Sequence, residues 1–191
     1  MRMLVIVGSP RLPSSTGALA SACANALGSL GAEVHRLDLA PYRAQDVSRA
    51  GLPDAVRDAD GIVLASPVHH CGYSGLLKYA LDDLPMGAFT DKAVGLLAHG
   101  GGPCTGSVVC EQLRTVARSL GGWVVPTHVV SCPQDFTGEE PGRGGPRAGG
   151  PREHTADAAL HGRLLLLAAE LHRCATMLRL TAVARQEAAP A

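Results

Sequence analysis

Five residues with anion-binding side chains fall within eight positions of one another: Ser9, Arg11, Ser14, Ser15 and Thr16. They follow the apolar, β-branched run Leu4–Val7 and a glycine, Gly8, and they precede an Ala-rich stretch with helical spacing. That order predicts a buried strand feeding a loop at the start of a helix. Such a loop offers unpaired backbone N–H groups, the positive end of a helix dipole, hydroxyl donors and one guanidinium, which together suit a phosphate monoester. The loop has neither the Gly-x-Gly-x-x-Gly spacing that admits a dinucleotide pyrophosphate nor the Gly-Lys-Ser/Thr of a P-loop. A single terminal phosphate, as on a mononucleotide, is the better match.

Two further stretches carry side chains or backbone with chemical potential. Ser66-Pro67-Val68-His69-His70-Cys71-Gly72-Tyr73-Ser74 follows a second apolar run, Gly61–Ala65, and His99-Gly100-Gly101-Gly102-Pro103 follows a third, Ala93–Ala98. Glycines let a flat ring come close to backbone. A metal site built from His69, His70, Cys71, His99 and Cys104 is the sharper alternative, but the histidines are adjacent and no His-x-x-x-His supports it. No metal is expected. Cys71 and Cys104 are read as buried or incidental thiols, with a redox pair as the alternative. The six cysteines form no Cys-x-x-Cys and are expected to be reduced, in keeping with a cytoplasmic location.

The elements that must position these loops alternate. Strands are expected at Leu4–Val7, Glu33–Leu39, Gly61–Pro67, Ala93–Ala98 and Trp123–Val130, the last broken by Pro126 and opening on a core Trp123. Helices are expected at Ser14–Leu30, Asp54–Asp58, Ser74–Leu84 and from Thr105 or Gly106 to Leu120, with Pro41–Pro53 irregular. Ser14 or Ser15 is the expected cap of the first helix and Gly31 its stop. Five strands alternating with helices predict an α/β fold, a three-layer sandwich with a five-stranded parallel sheet covered on both faces. The three polar loops then lie together at the carboxyl ends of the strands, where open α/β sheets bind ligands.

The chain is read as one domain, 1–191. Residues 138–152 hold no apolar side chain beyond Ala and Pro and are expected to form a flexible surface loop. Its Arg143, Arg147 and Arg152 are read as solvated, with the 2′-phosphate of NADPH as an alternative contact. A C-terminal helix is expected from 153 to about 184. Its run Leu164-Leu165-Leu166-Leu167 is too wide for one core face and predicts a homo-oligomer, a dimer or tetramer. Composition narrows the partners. The chain has 17 basic and 17 acidic residues and only 3% aromatics, so neither nucleic acid nor an anionic membrane surface is expected. The opening apolar run is too short for a signal peptide, and no membrane span is expected.

The residues Gly8-Ser9-Pro10-Arg11 with Ser14 and Thr16, Ser66 through Lys78, and Gly100-Gly101-Gly102-Pro103 resemble the NADPH-dependent FMN reductase family over residues 1 to about 130. The resemblance implies a flavodoxin-like fold, FMN as cofactor and NADPH or NADH as reductant. It implies that Ser9, Arg11, Ser14 and Thr16, with the backbone of Ser15 and Thr16, hold the FMN phosphate. It places Pro67, Val68, His69, His70 and Gly72 around the isoalloxazine and ribityl chain, and the backbone of Gly100, Gly101 and Gly102 at the pyrimidine edge. Val68-His69-His70 stands where many relatives have an acidic or aromatic residue followed by Asn, and Cys71 replaces a small residue. The implied function is hydride transfer from NAD(P)H to FMN and on to a small-molecule acceptor: a quinone, an azo compound, free flavin or a monooxygenase partner. His69 and His70 are candidate substrate contacts; no residue is assigned to catalysis. A dedicated FMN-dependent biosynthetic enzyme and a flavodoxin-type electron carrier are the alternatives, the second disfavoured by neutral charge and by Tyr73 being the one aromatic near the loops.

Overall fold

The computed structural model describes residues 1–42, 51–102, 104–137 and 155–187. The expected flexible loop, 138–152, and its three arginines lie outside them. Five parallel strands, β1 (Arg2–Val7), β2 (Glu33–Asp38), β3 (Gly61–Pro67), β4 (Ala93–His99) and β5 (Trp123–Ser131), form one sheet in the order β2-β1-β3-β4-β5. The helices are α1 (Ser15–Ser29), α2 (Leu52–Asp58), α3 (Gly75–Asp82), α4 (Thr105–Ser119) and α5 (Ala158–Glu187).

Alternation along each strand explains why the inner strands read as continuous apolar runs: successive side chains point to opposite faces and both faces are covered. Leu4 and Ile6 of β1, Ile62 and Leu64 of β3 and Val94 and Leu96 of β4 pack under α2, α3 and α4. Met3, Val5 and Val7, Val63 and Ala65, and Ala93 and Leu97 pack under α1 and α5. The fold is therefore the expected three-layer sandwich.

Three expectations need correction. Pro126 does not break β5. The strand runs through it in a bulge, with Val94 opposite Val124 but Leu96 opposite His128. Proline is tolerated because β5 is an edge strand with one hydrogen-bonding neighbour. The bulge is braced from both layers: Arg114 of α4 donates to the carbonyls of Val125 (2.8 Å) and Pro126 (3.1 Å), and Glu170 of α5 accepts from Thr127 N–H at 3.0 Å. Trp123 is not core. It is 62% exposed, because it opens that edge strand. The last helix begins at Ala158, not 153. Thr155–Ala156 (β7) pairs antiparallel with Phe136–Thr137 (β6), and Asp157 caps the helix by accepting from Leu160 N–H at 2.7 Å.

Within α5, Leu160, Leu164, Leu167 and Leu171 are buried, whereas Leu166 is 69% exposed and Leu165, Met177, Leu180 and Val183 are also exposed. No described helix is long and apolar enough to cross a membrane.

Candidate flavin cleft

Each of the three polar loops leaves the carboxyl end of a strand, and each is locked to a neighbour by its own hydrogen bonds. In the first loop, Ser14 is the cap of α1: its backbone is extended and its Oγ accepts from Gly17 N–H at 3.0 Å. Ser9 is buried, and its Oγ accepts from Arg11 N–H at 3.2 Å, which turns the chain back toward the helix. Thr16 is buried in the first turn. Arg11 is exposed and forms no ion pair among the described residues.

The second loop is tied to the first by Ser74, a residue that sequence reasoning used only as a helix start. Its Oγ donates to the Gly8 carbonyl (2.5 Å) and accepts from Leu77 N–H (3.0 Å), so one buried hydroxyl both caps α3 and clamps the first loop. Its own N–H donates to the buried Ser66 Oγ at 2.9 Å. The second and third loops meet where Val68 N–H donates to the His99 carbonyl at 2.8 Å. Gly100 N–H in turn donates to the Ser131 carbonyl at 2.9 Å, and His99 Nδ1 lies 2.9 Å from Ser131 Oγ.

These contacts bring the loops around one cleft of about 500 Å³, within the range of small-molecule sites. Ser9, Arg11, Ser14, Ser15 and Thr16 line one part; Pro67, Val68 and His69 another; Gly100 and Gly101 a third. His70, Gly72 and Gly102, expected to take part, do not line it. His70 and Cys71 sit in a tight turn outside the lining, and both are exposed, as is Cys104, so of the reading of Cys71 and Cys104 as buried or incidental thiols the buried half does not hold. Pro10, Pro13 and His99, which lie in the loops expected to converge but were given no role toward the ligand, also line the cleft, as does Pro133, which sequence reasoning missed.

Among the described residues no carboxylate lines the cleft, while Arg11 and two imidazoles do. A second cavity of about 390 Å³ lies at the other end of the sheet, with Glu33, Asp54 and Asp58 in its wall, which is the wrong sign for a phosphate. The glycines of the third loop differ. A Cβ on Gly100 would stand 2.3 Å from Thr105 Oγ1 and 3.0 Å from Val68 Cγ2, so packing alone excludes a side chain there. A Cβ on Gly101 would meet no atom of the described residues within 4 Å. Its smallness is unexplained by the protein and leaves the cleft wall flat.

A 2-1-3-4-5 parallel sheet with its cleft at the carboxyl ends of the strands places the chain in the flavodoxin-like class of mononucleotide-binding folds. Within that class it belongs to the NADPH-dependent FMN reductase family, whose model matches residues 1–137. It is 38% identical over 150 residues to an FMN-dependent NADPH-azoreductase of Staphylococcus saprophyticus, covering 71% of this chain and 79% of that protein. It is 33% identical over 156 residues to the protein of the same description from Staphylococcus aureus, covering 74% and 82%. Among solved structures, an oxidoreductase from Corynebacterium diphtheriae superposes with a TM-score of 0.70 at 25% identity, covering 92% of this chain and 97% of the other. The chain is thus an FMN-dependent NAD(P)H oxidoreductase, and the cleft meets the requirements of its cofactor: an anion-compatible end, a flat backbone wall and, among the described residues, no carboxylate.

Proposed function

We propose that the cleft is the FMN site and that the whole chain, 1–191, acts as one FMN-binding unit. Ser9, Arg11, Ser14 and Thr16 hold the phosphate against the start of α1, with the backbone N–H groups of Ser15 and Thr16. Pro67, Val68 and His69 support the ring and ribityl chain on one side, and Gly100 and Gly101 present backbone to the pyrimidine edge. When bound, FMN accepts a hydride from NAD(P)H and passes two electrons to an acceptor. The protein's part is to anchor the phosphate, keep the ring flat against backbone, and leave one face open. The observation that carries this reading is the convergence of three loops on a cleft that, among the described residues, holds no carboxylate and whose wall, at Gly101, has room for a ligand and no described protein atom to fill it.

The acceptor is a small molecule. The Staphylococcus relatives are named for azo compounds, and we place azo compounds and quinones first, ahead of free flavin or a monooxygenase partner. His69, at the rim, contacts the acceptor. The protein works in the cytoplasm as a homodimer through the exposed apolar side of α5.

Titration with FMN, riboflavin and FAD tests the site: FMN should bind most tightly, and equal affinity for FMN and riboflavin would remove the phosphate loop from the reading. Anaerobic bleaching of the bound flavin by NADPH and by NADH tests the chemistry. Parallel steady-state lines at several acceptor concentrations are expected, because donor and acceptor use the same open face in turn.

A further inference from the structure

The segment from His69 to Gly72 closes on itself. His69 N–H donates to the Gly72 carbonyl at 2.8 Å, and Gly72 N–H donates to the His69 carbonyl at 2.9 Å. The two residues between them, His70 and Cys71, have φ of 50° and 61°. This is a two-residue hairpin turn with both central residues left-handed, a form that favours Asn and Gly because other side chains crowd the backbone there. Histidine is found there more often than most residues; cysteine does not favour it. Among the described residues one hydrogen bond from outside the loop holds it: Gln112 of α4 donates from Nε2 to the Cys71 carbonyl at 3.2 Å. The oxygen of the same amide lies 3.8 Å from the point that a Cβ on Gly72 would occupy. The other end is anchored by the Val68 N–H bond to His99. Strain of this kind persists where surrounding structure imposes it, and it gathers at ligand clamps.

We propose that Gln112 is a positioning residue that sets acceptor recognition: by holding the Cys71 carbonyl it keeps the 69–72 turn shut and so keeps His69 at the cleft rim. The role of His69 rests on the cleft being the flavin site. When the Gln112 donor is lost, open forms of the turn relieve His70 and Cys71, and His69 leaves the rim. The phosphate loop and the glycine wall belong to other elements, so the cofactor keeps its anchor while the acceptor loses a contact.

The test is Gln112→Met, which keeps side-chain length on a partly exposed helix face and removes the donor. Amide hydrogen exchange at His69 and Gly72, read on the apo chain, should rise about tenfold or more. In the FMN-loaded enzyme with saturating NADPH and methyl red as acceptor, KM should rise about three- to tenfold with kcat within about twofold, the pattern of lost binding without lost chemistry. FMN affinity should not change. Adding Cys71→Gly to Gln112→Met supplies the residue the turn favours, and it should return both exchange and KM to within about twofold of the starting protein. Unchanged exchange in Gln112→Met overturns the latch, as does a KM change that Cys71→Gly fails to restore. A starting protein that binds no FMN overturns the cleft reading and the role of His69 with it, and the exchange result then judges the latch alone.

Discussion

Replacing Gly100 and Gly101 by alanine, one at a time, should give opposite outcomes from adjacent positions. At Gly100 the new methyl lies 2.3 Å from Thr105 Oγ1 and 3.0 Å from Val68 Cγ2. Neither neighbour yields easily, since Thr105 opens α4 and its hydroxyl donates to the Gly102 carbonyl at 2.9 Å. Overpacking of this kind costs about 1–3 kcal/mol, so Gly100→Ala should destabilise the apo chain by that amount. Thr105→Ala in the same chain removes the hydroxyl and leaves its Cβ 3.4 Å from the new methyl, an ordinary contact, so most of the loss should return. At Gly101 no described protein atom is in the way and φ is not positive. Alanine there restricts the unfolded chain and should leave stability unchanged or raised by about 0.4–1 kcal/mol. The methyl would instead stand in the cleft, where a flat ring must lie. A misfit of about 1–3 kcal/mol corresponds to FMN affinity lower by about five- to 150-fold. Urea unfolding of the apo proteins and FMN fluorescence titration separate the two quantities. If Gly101→Ala binds FMN as tightly as the starting protein, that wall does not face the cofactor and the proposed site is wrong.

Four other outcomes follow from the same contacts. Ser74→Ala removes a helix cap and orphans the buried Gly8 carbonyl, so it should cost about 2–4 kcal/mol, against about 1 kcal/mol for Ser14→Ala, which removes a cap alone; urea midpoints at equal slope decide. Arg11→Ala should weaken FMN by about tenfold, near 1.5 kcal/mol for an exposed charge-assisted contact, and leave riboflavin affinity unchanged in the same titration. Leu166→Lys, on the exposed side of α5, should convert a dimer into a monomer by light scattering at micromolar concentration; a monomer before substitution refutes the dimer. Burial pushes the thiols of Cys23 and Cys110 up to about 12, so Cys71 and Cys104 should react with a disulfide reagent at neutral pH while those two wait for unfolding. The unfolded chain releases their protons above pH 9 and the folded chain keeps them to about 12, so stability should fall as pH rises through that window, checked by urea titration at each pH.

Burial on both faces made β1, β3 and β4 legible, because a strand covered twice admits almost nothing but apolar residues. The Ser14 cap was legible because a hydroxyl before an Ala-rich helical pattern has one obvious acceptor role. What escaped the sequence depends on partners far along the chain. Pro126 reads as a strand breaker until Arg114 and Glu170 arrive from two helices to satisfy the bulge around it. Trp123 reads as core from its size, and only its place at the start of an edge strand exposes it. The start of α5 was readable in part, since Asp157 three residues before Leu160 is a capping pattern that the acidic Glu153 obscured.

The cleft divides along the same line. Ser9, Arg11, Ser14, Ser15 and Thr16 fall within one eight-residue stretch, and residues of one stretch that line one cleft leave a pattern in sequence. Ser74 and Gln112 act on loops 66 and 41 residues away, and their own neighbours in sequence are those of ordinary helices. His70 and Cys71 look like ligand residues because histidine and cysteine often are. The backbone instead uses them as the two left-handed residues of a turn outside the cleft lining, a conformation to which cysteine is poorly suited. Residue type was therefore a good guide to the first loop, whose Ser9, Arg11, Ser14, Ser15 and Thr16 all line the cleft. It was a poorer guide to the second and third, where His70, Gly72 and Gly102 stay out of the lining and the side chains that shape the loops, Ser74 and Gln112, bind backbone.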